Sequence, residues 1–117
     1  MTAYIVFAHG SSVESANDAV RAVASEAARR AGWKLYETAF LGGGRPNLEE
    51  AATRLASEGA TDLVVIPYFL TSGLHLERDL PALISEIRRS HPEIAMRATA
   101  PLDGHPGLVD AVMDRAK

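Results

Sequence analysis

The chain has 117 residues, of which 47% are hydrophobic and 23% are charged. This length matches one domain at about 100–200 residues per domain, so we expect a single domain over residues 1–117. A net charge of −3 argues against non-specific binding to nucleic acid. The absence of cysteine excludes a disulfide framework, a thiolate metal site and a cysteine nucleophile. Because no signal peptide and no apolar run of about 18 residues is present, we expect no membrane contact and a cytoplasmic location.

The first predicted strand and helix come directly from hydrophobic patterning. Residues 3–8 form a continuous apolar run, which predicts a strand buried on both faces. Ser11 and Glu14 have the spacing of a capping box, so we expect the first helix to follow them. Apolar residues then recur at helical spacing until Gly32, which predicts the C-terminal end of this helix.

The second strand and helix are predicted in the same way. Residues 33–40 are more polar than the first strand and indicate a strand nearer an edge. A glycine-rich loop at 42–46 follows. Asn47 and Glu50 give a second capping signal, and Gly59 predicts the end of the second helix.

The rest of the chain contains two further strands and two further helices. We expect a third strand at 62–70, a third helix beginning near Asp79 or Leu80, a fourth strand at 94–98 and a closing helix that includes residues 108–113. Pro81 suits the first turn of the third helix, with Asp79 as its N-cap. His91 is expected to bond the last carbonyls of that helix, and His105 to cap the closing one.

Four alternations of strand and helix predict an α/β fold. We expect a three-layer sandwich, with a four-stranded parallel sheet and helices on both faces. Ligands of such sheets bind beyond the carboxyl ends of the strands, where the strand order reverses. The loops at this edge are 9–12, 42–46, 71–75 and 101–105.

Two histidines, His9 and His75, follow the two most buried strands. If these strands are neighbours, both residues share one cleft, and two imidazoles can bind a borderline divalent metal in an open site. The alternative is that His9 only bonds nearby backbone and that His75 is an ordinary surface residue of its loop.

Other groups at this edge favour an anionic ligand. Ser11 and Ser12 precede a helix N-terminus, which attracts negative charge. Arg45 could bind carboxylates, although a solvated loop arginine is the simpler interpretation. The spacings G-x-G-x-x-G, G-x-x-x-x-G-K-[ST] and G-x-S-x-G are absent, so we expect no nucleotide and no serine hydrolase chemistry.

Two motifs resemble those of the small sirohydrochlorin chelatases, the short class II chelatases. Residues 8–11, Ala-His-Gly-Ser, match their opening motif, and residues 67–81 match their second motif closely. Residues 39–41 with Arg45-Pro46, and residues 101–106, add weaker matches. The resemblance runs in order along nearly the whole chain.

This resemblance implies the function. Such enzymes insert cobalt, iron or nickel into a tetrapyrrole during cobalamin or sirohaem biosynthesis, so Co²⁺, Fe²⁺ or Ni²⁺ would be a substrate. The metal-handling and catalytic histidines would be His9 and His75. Ser72 and Gly73, beside His75, would join Ser11, Ser12 and Arg45 in binding the tetrapyrrole. A single short unit implies a homodimer.

One position departs from the family pattern. Many members have glutamate directly after the Phe-Leu that ends the second strand, and this chain has Gly42. Gly42 favours the alternative of a non-catalytic protein that carries metal or tetrapyrrole. A third hypothesis, with His9 as nucleophile in phosphoryl transfer or hydrolysis, ranks lower because no arginine precedes the motif. The leading hypothesis predicts that His9→Ala and His75→Ala each abolish metal insertion.

Overall fold

The computed structural model describes residues 1–71 and 73–117, without the side chains of Leu74 and His75. Strands and helices alternate along the chain. They are β1 (Thr2–Ala8), α1 (Glu14–Ala31), β2 (Tyr36–Phe40), α2 (Leu48–Ser57), β3 (Asp62–Tyr68), α3 (Leu74–Ser90), β4 (Ala95–Ala98) and α4 (Pro106–Arg115). No helix in this part of the chain is both long and apolar enough to cross a membrane.

The four strands form one parallel sheet in the order β2-β1-β3-β4, as predicted. Val6 pairs with Thr38 on one side and with Ile66 on the other. The chain moves from β1 outward to β2 and then returns across β1 to β3, so the strand order reverses between β1 and β3. Right-handed crossovers therefore place α1 on one face and both α2 and α3 on the other. His9 and Gly73 follow the two strands at this switch point.

The face covered by α2 and α3 contains the larger hydrophobic core. Alternate residues of the strands point to it because side chains in a strand alternate between faces. Its largest fully buried members are Ile5, Phe7, Leu48, Leu55, Leu63, Val65 and Ile87. Burial of apolar surface here contributes about 25 cal/mol per Å² and is the main force that holds the helices on the sheet.

The opposite face is covered by α1. Ala24 and Ala28 are buried there, and the guanidinium of Arg21 lies 5.1 Å from the centre of the Phe40 ring. At the far end of the sheet, the rings of Tyr4 and Trp33 stack with centroids 4.4 Å apart. Because the buried Ala24 and Ala28 have small side chains, α1 can pack close to the sheet at these positions.

The last helix, α4, buries none of its residues. Val109, Val112 and Met113 are all exposed, at 60%, 70% and 63%. Spacings of three and four residues put these side chains on one side of the helix. These three residues form an exposed apolar stripe, Val109–Val112–Met113, on a helix of ten residues.

The predicted start of the third helix was wrong. α3 begins at Leu74, with Gly73 as its N-cap, and Pro81 lies inside the helix. Asp79 is therefore a helical residue and not an N-cap. Leucines and isoleucines at helical spacing already begin at Leu76. Pro81 removes one backbone N–H and crowds the carbonyl four residues before it, but the apolar side of α3 packs on the core and the helix continues through it.

The predicted capping box at Ser11 was also wrong. α1 has Val13 as N-cap with no side-chain hydrogen bond, and Ser11 Oγ accepts from the N–H of Val13 instead. Gly32 ends α1 in the left-handed conformation, as predicted, with φ of 73°.

The other predicted helix caps and strand ends can also be compared with the structure. Asn47 forms the predicted capping box of α2, and the ring of His105 caps α4 by accepting the N–H of Gly107. For His91 the backbone N–H, and not the ring, reaches the last carbonyls of α3, while Nε2 contacts Thr53 Oγ1 at 3.1 Å. Strands β2, β3 and β4 are shorter than predicted by one to three residues at one end, a common error for boundaries read from sequence.

Candidate active site

A pocket of about 290 Å³ opens at the carboxyl ends of β1 and β3, where the strand order reverses. Its walls are mostly apolar and come from the ends of the strands and from α3. They are formed by Phe7, Leu41, Phe69, Leu76, Leu80 and Leu83. His9, Thr71 and Asp79 supply the polar side chains. An apolar pocket with a few convergent polar groups at a switch point is the usual form of a ligand site in such folds.

His9 lies at the edge of this pocket, one residue after β1. Its side chain is exposed and meets the ring of Phe69 edge to face, with centroids 6.4 Å apart. Its Nδ1 lies 3.4 Å from the carbonyl oxygen of Gly10. A carbonyl oxygen can only accept, so this contact favours the tautomer with hydrogen on Nδ1. The lone pair of Nε2 is then available to bind a metal ion or a proton.

For His75, the predicted partner of His9, the structure describes the backbone and not the side chain. β1 and β3 are neighbours, as the pairing of the two histidines requires. Gly73 lines the same pocket as His9, and position 75 lies in the first turn of α3 and not in a loop. Ser72 lies outside the described residues, as does the side chain of His75. The roles of these residues stay predictions.

The predicted anion-binding residues lie beside the pocket and not in its wall. The N–H of Ser11 donates to Asn17 Oδ1 at 3.0 Å, and Ser12 is exposed. Arg45 is 81% exposed and pairs with Glu50. The hydrogen bond from the N–H of Asn47 and the nearby guanidinium of Arg45 lower the pKa of Glu50. Glu50 is therefore ionised at neutral pH.

The first turn of α1 already carries negative charge. Glu14 pairs with Arg21 at 2.5 Å, and this hydrogen bond lowers the pKa of Glu14. A carboxylate at this end of α1 satisfies the positive end of the helix dipole. A substrate anion at this helix end would therefore have to compete with Glu14.

The sequence profile of the CbiX family matches residues 3–117. The chain belongs to the CbiX family. The chelatase family predicted from the sequence motifs is thereby confirmed, since curated relatives of this chain are named sirohydrochlorin chelatases. The chloroplastic sirohydrochlorin ferrochelatase of Arabidopsis thaliana is 30% identical over 111 residues, covering 95% of this chain and 49% of the relative. The sirohydrochlorin cobaltochelatase of Sulfolobus acidocaldarius is 26% identical over 117 residues, covering 100% of this chain and 91% of the relative.

Solved structures share this CbiX fold. A CbiX protein from Marinobacter aquaeolei VT8 superposes with a TM-score of 0.87 at 26% identity, covering 99% of this chain and 94% of the other. The sirohydrochlorin chelatase SirB from Bacillus subtilis subspecies spizizenii, in complex with cobalt, gives a TM-score of 0.90 at 25% identity. That match covers 98% of this chain and 49% of SirB. The CbiX chain thus spans about half the length of some relatives and nearly all of others.

Two residues near the CbiX pocket were missed or misread from the sequence. Asn17 was not singled out from the sequence, but its side chain is buried between two loops. Asp79 was taken as an N-cap, but it lines the pocket. A signal for Asp79 exists in the sequence, because continuing the leucine pattern back to Leu76 starts the helix earlier and makes Asp79 helical. No local pattern marks Asn17, because its partners lie in loops on both sides of it in sequence.

The donor groups of this CbiX chain form no closed metal site in residues 1–71 and 73–117, apart from the side chain of His75, which is not described. Within that part, no three His, Cys, Asp or Glu side chains stand close enough to hold a metal ion.

Proposed function

We propose that this chain inserts a divalent metal ion, Co²⁺, Fe²⁺ or Ni²⁺, into sirohydrochlorin or a close tetrapyrrole relative. The observation that carries the proposal is the apolar pocket at the switch point, with His9 at its edge, in a chain of the CbiX family. The relatives named above act on sirohydrochlorin with cobalt or iron. A cytoplasmic location and a role in cobalamin or sirohaem biosynthesis remain predictions from the sequence.

The pocket walls suit one face of a tetrapyrrole ring. Phe69 and Leu76 offer apolar surface, and the exposed Leu41 extends it outward. The pocket volume of about 290 Å³ is just below the roughly 300–1,000 Å³ that is usual for pockets that enclose drug-sized ligands. A tetrapyrrole is larger than such ligands, so only part of it would be enclosed by one chain.

Metal insertion brings in a dication and releases two protons, and a histidine can take part in both steps. As the dication enters the ring, two N–H protons leave, so the overall charge is unchanged. His9, with its Nε2 lone pair free, can bind the incoming ion or accept one of these protons. We propose that His75 is its partner. Two imidazoles leave the coordination sphere of the ion incomplete, and the four ring nitrogens can then replace them.

Arg45 and Ser12 would bind the acidic side arms of the substrate. To do this, Arg45 must leave Glu50. Arg45 is largely exposed and Glu50 is partly exposed, at 37%, and solvent-accessible ion pairs contribute only about 0–1 kcal/mol. The exchange therefore costs little, and a substrate with several carboxylates can compensate for it.

We further propose that the functional form is a homodimer, formed through the stripe Val109–Val112–Met113. Some relatives are about twice as long as this chain, so a second copy would stand where their remaining half stands. The exposed apolar stripe on α4 is a surface that such a copy could cover, and covering apolar surface is favourable. A second copy would also enclose more of the substrate than the pocket of one chain does.

Sedimentation velocity tests the dimer. The wild type is expected at twice 12.5 kDa. Val112→Glu should be monomeric at micromolar concentration, because it puts a charge into the apolar interface. The matched control Asp110→Lys changes charge on the same helix, two residues away, and should remain dimeric. A monomeric wild type would contradict this part of the proposal.

The absorbance spectrum of sirohydrochlorin tests the enzymatic proposal. Purified protein is mixed with a large excess of sirohydrochlorin and with Co²⁺, Ni²⁺ or Fe²⁺ in parallel, and the rate is compared with the protein-free reaction. Many turnovers per chain are expected with at least one metal. A spectral change that stops at one equivalent per site would instead favour the carrier alternative and refute catalysis.

A further inference from the structure

The side chain of Asn17 is a buried amide that joins the two loops beside His9. It is 1% exposed. Its Oδ1 accepts the N–H of Ser11 at 3.0 Å, and its Nδ2 donates to the carbonyl of Ser11 at 2.9 Å. The same Nδ2 lies 3.3 Å from the carbonyl of Gly43. One side chain thus binds both backbone groups of Ser11 and connects them to the loop after β2.

Glycines on both loops allow this close packing. A Cβ atom on Gly10 would lie 1.7 Å from the carbonyl oxygen of Gly42, and one on Gly43 would lie 2.8 Å from the backbone of Ser11. A Cβ atom on Gly44 would lie 2.7 Å from Asn17 Nδ2. The loops therefore meet backbone to backbone, and the amide of Asn17 fills the polar space between them.

His9 is the residue that this packing orients. Its carbonyl accepts the N–H of Gly42 at 3.0 Å, and two residues later Ser11 is held by Asn17. Gly10, between them, has a left-handed backbone with φ of 87°. The segment is thus fixed on both sides of Gly10. The ring of His9 is exposed and its contact with the Gly10 carbonyl is long, at 3.4 Å, so its place at the pocket edge depends on the backbone segment that carries it and on its edge contact with Phe69.

We propose that Asn17 is a positioning residue for His9, one that holds the imidazole at the pocket edge without touching substrate. The proposal rests on the proposed metal insertion. Removing the amide leaves the part-buried N–H and carbonyl of Ser11 without their side-chain partner, and backbone groups shielded from water are unfavourable when unpaired. The segment 9–11 would then rearrange to reach water, and the ring of His9 would no longer be held against Phe69.

Nuclear magnetic resonance of the metal-free protein tests the positioning directly. In the wild type, nuclear Overhauser contacts are expected between the rings of His9 and Phe69, whose centroids are 6.4 Å apart. Asn17→Ala should lose these contacts while keeping its helical circular dichroism. The control is Asn47→Ala, which removes the capping amide of α2 and should keep them.

Isothermal titration with Co²⁺ gives the functional readout. Loss of a group that orients a metal ligand typically weakens affinity about 10–100-fold, and we expect this range for Asn17→Ala, with kcat for metal insertion reduced and KM for the tetrapyrrole little changed. Asn47→Ala should change neither the affinity nor kcat. If Asn17→Ala fails to fold, Asn17→Ser replaces it, because its uncharged hydroxyl can still accept from an N–H or donate to a carbonyl at this buried position, and it is expected to give an intermediate loss.

A double-mutant cycle with His9→Ala separates positioning from a general structural role. If Asn17 acts through His9, the asparagine substitution has no further effect on Co²⁺ affinity once His9 is gone. Additive losses would overturn the proposal, as would an asparagine variant with wild-type affinity and intact His9–Phe69 contacts. A wild type that binds none of Co²⁺, Fe²⁺ and Ni²⁺ would refute the proposed function, and the resonance comparison would still decide whether Asn17 orients His9.

Discussion

Replacing Gly10 by alanine tests how closely the two loops beside the pocket approach each other. The new Cβ would lie 1.7 Å from the carbonyl oxygen of Gly42, 2.9 Å from its carbonyl carbon and 3.1 Å from Phe40 Cβ. The atoms of Gly42 belong to the backbone, so a loop must move. A left-handed conformation costs a non-glycine residue about 1–2 kcal/mol, and overpacking adds about 1–3 kcal/mol. We therefore expect Gly10→Ala to lower the free energy of unfolding by about 2–5 kcal/mol.

Two other glycines separate these contributions. Gly32 has a similar φ of 73° but open space around its Cβ position, so Gly32→Ala should show only the conformational cost, about 1–2 kcal/mol. Gly42 has open space and no positive φ, so Gly42→Ala should be neutral or stabilising by about 0.4–1 kcal/mol. Urea denaturation at 25 °C measures all three variants. If Gly10→Ala were no less stable than Gly32→Ala, the close approach of the loops would be refuted.

Three further predictions concern the core, a helix cap and an exposed ion pair. Leu55 is 0% exposed, so Leu55→Ala should lose about 2–5 kcal/mol in urea denaturation; a loss below 1 kcal/mol would contradict its place in the core. Asn47→Ala removes the capping box of α2 and should lose about 1 kcal/mol; an unchanged denaturation midpoint would show that the cap is not needed. Hydrogen bonds from Arg29 and Arg30 lower the pKa of Glu26 from 4.5 to about 2. This pair therefore stabilises the fold above pH 4.5 and stops doing so as the pH falls toward 2. Glu26→Gln should melt slightly lower than the wild type at pH 7, with a difference that disappears by about pH 2; a constant difference across that range would argue against the ion pair.

Much of the fold follows from the hydrophobic pattern. The continuous apolar runs at 3–8 and 63–66 predict buried parallel strands, and the structure has them as β1 and β3, side by side in the middle of the sheet. Gly32 and Asn47 were predicted from neighbouring residues alone to end the first helix and to begin the second. The structure confirms both.

Errors arose where a local signal competes with packing. Pro81 predicts a helix start, but the apolar side of α3 extends back to Leu76 and packs against the core, so the helix continues through the proline. Ser11 has capping-box spacing, but its backbone is held by Asn17, and the cap moves to Val13.

The candidate site was predictable only in part. The position of His9 after a buried strand identifies it from sequence, together with the edge of the sheet where it lies. The contact between the loops could not be predicted, because it depends on three-dimensional distances between Gly10, Gly43 and Asn17. The glycine run at 42–44 indicates a loop but not that another loop packs against it.

The central claim is that His9 and His75 handle the metal during its insertion into the tetrapyrrole. The most direct measurement is the initial rate of metal insertion for His9→Ala and His75→Ala, with His91→Ala as a histidine control that lies outside the pocket wall, at the end of α3. All variants are first checked for wild-type circular dichroism. The account predicts that the first two lose at least about 100-fold in rate, the lower range for a positioned acid or base, while the control keeps its rate. Wild-type rates in both His9→Ala and His75→Ala would contradict it.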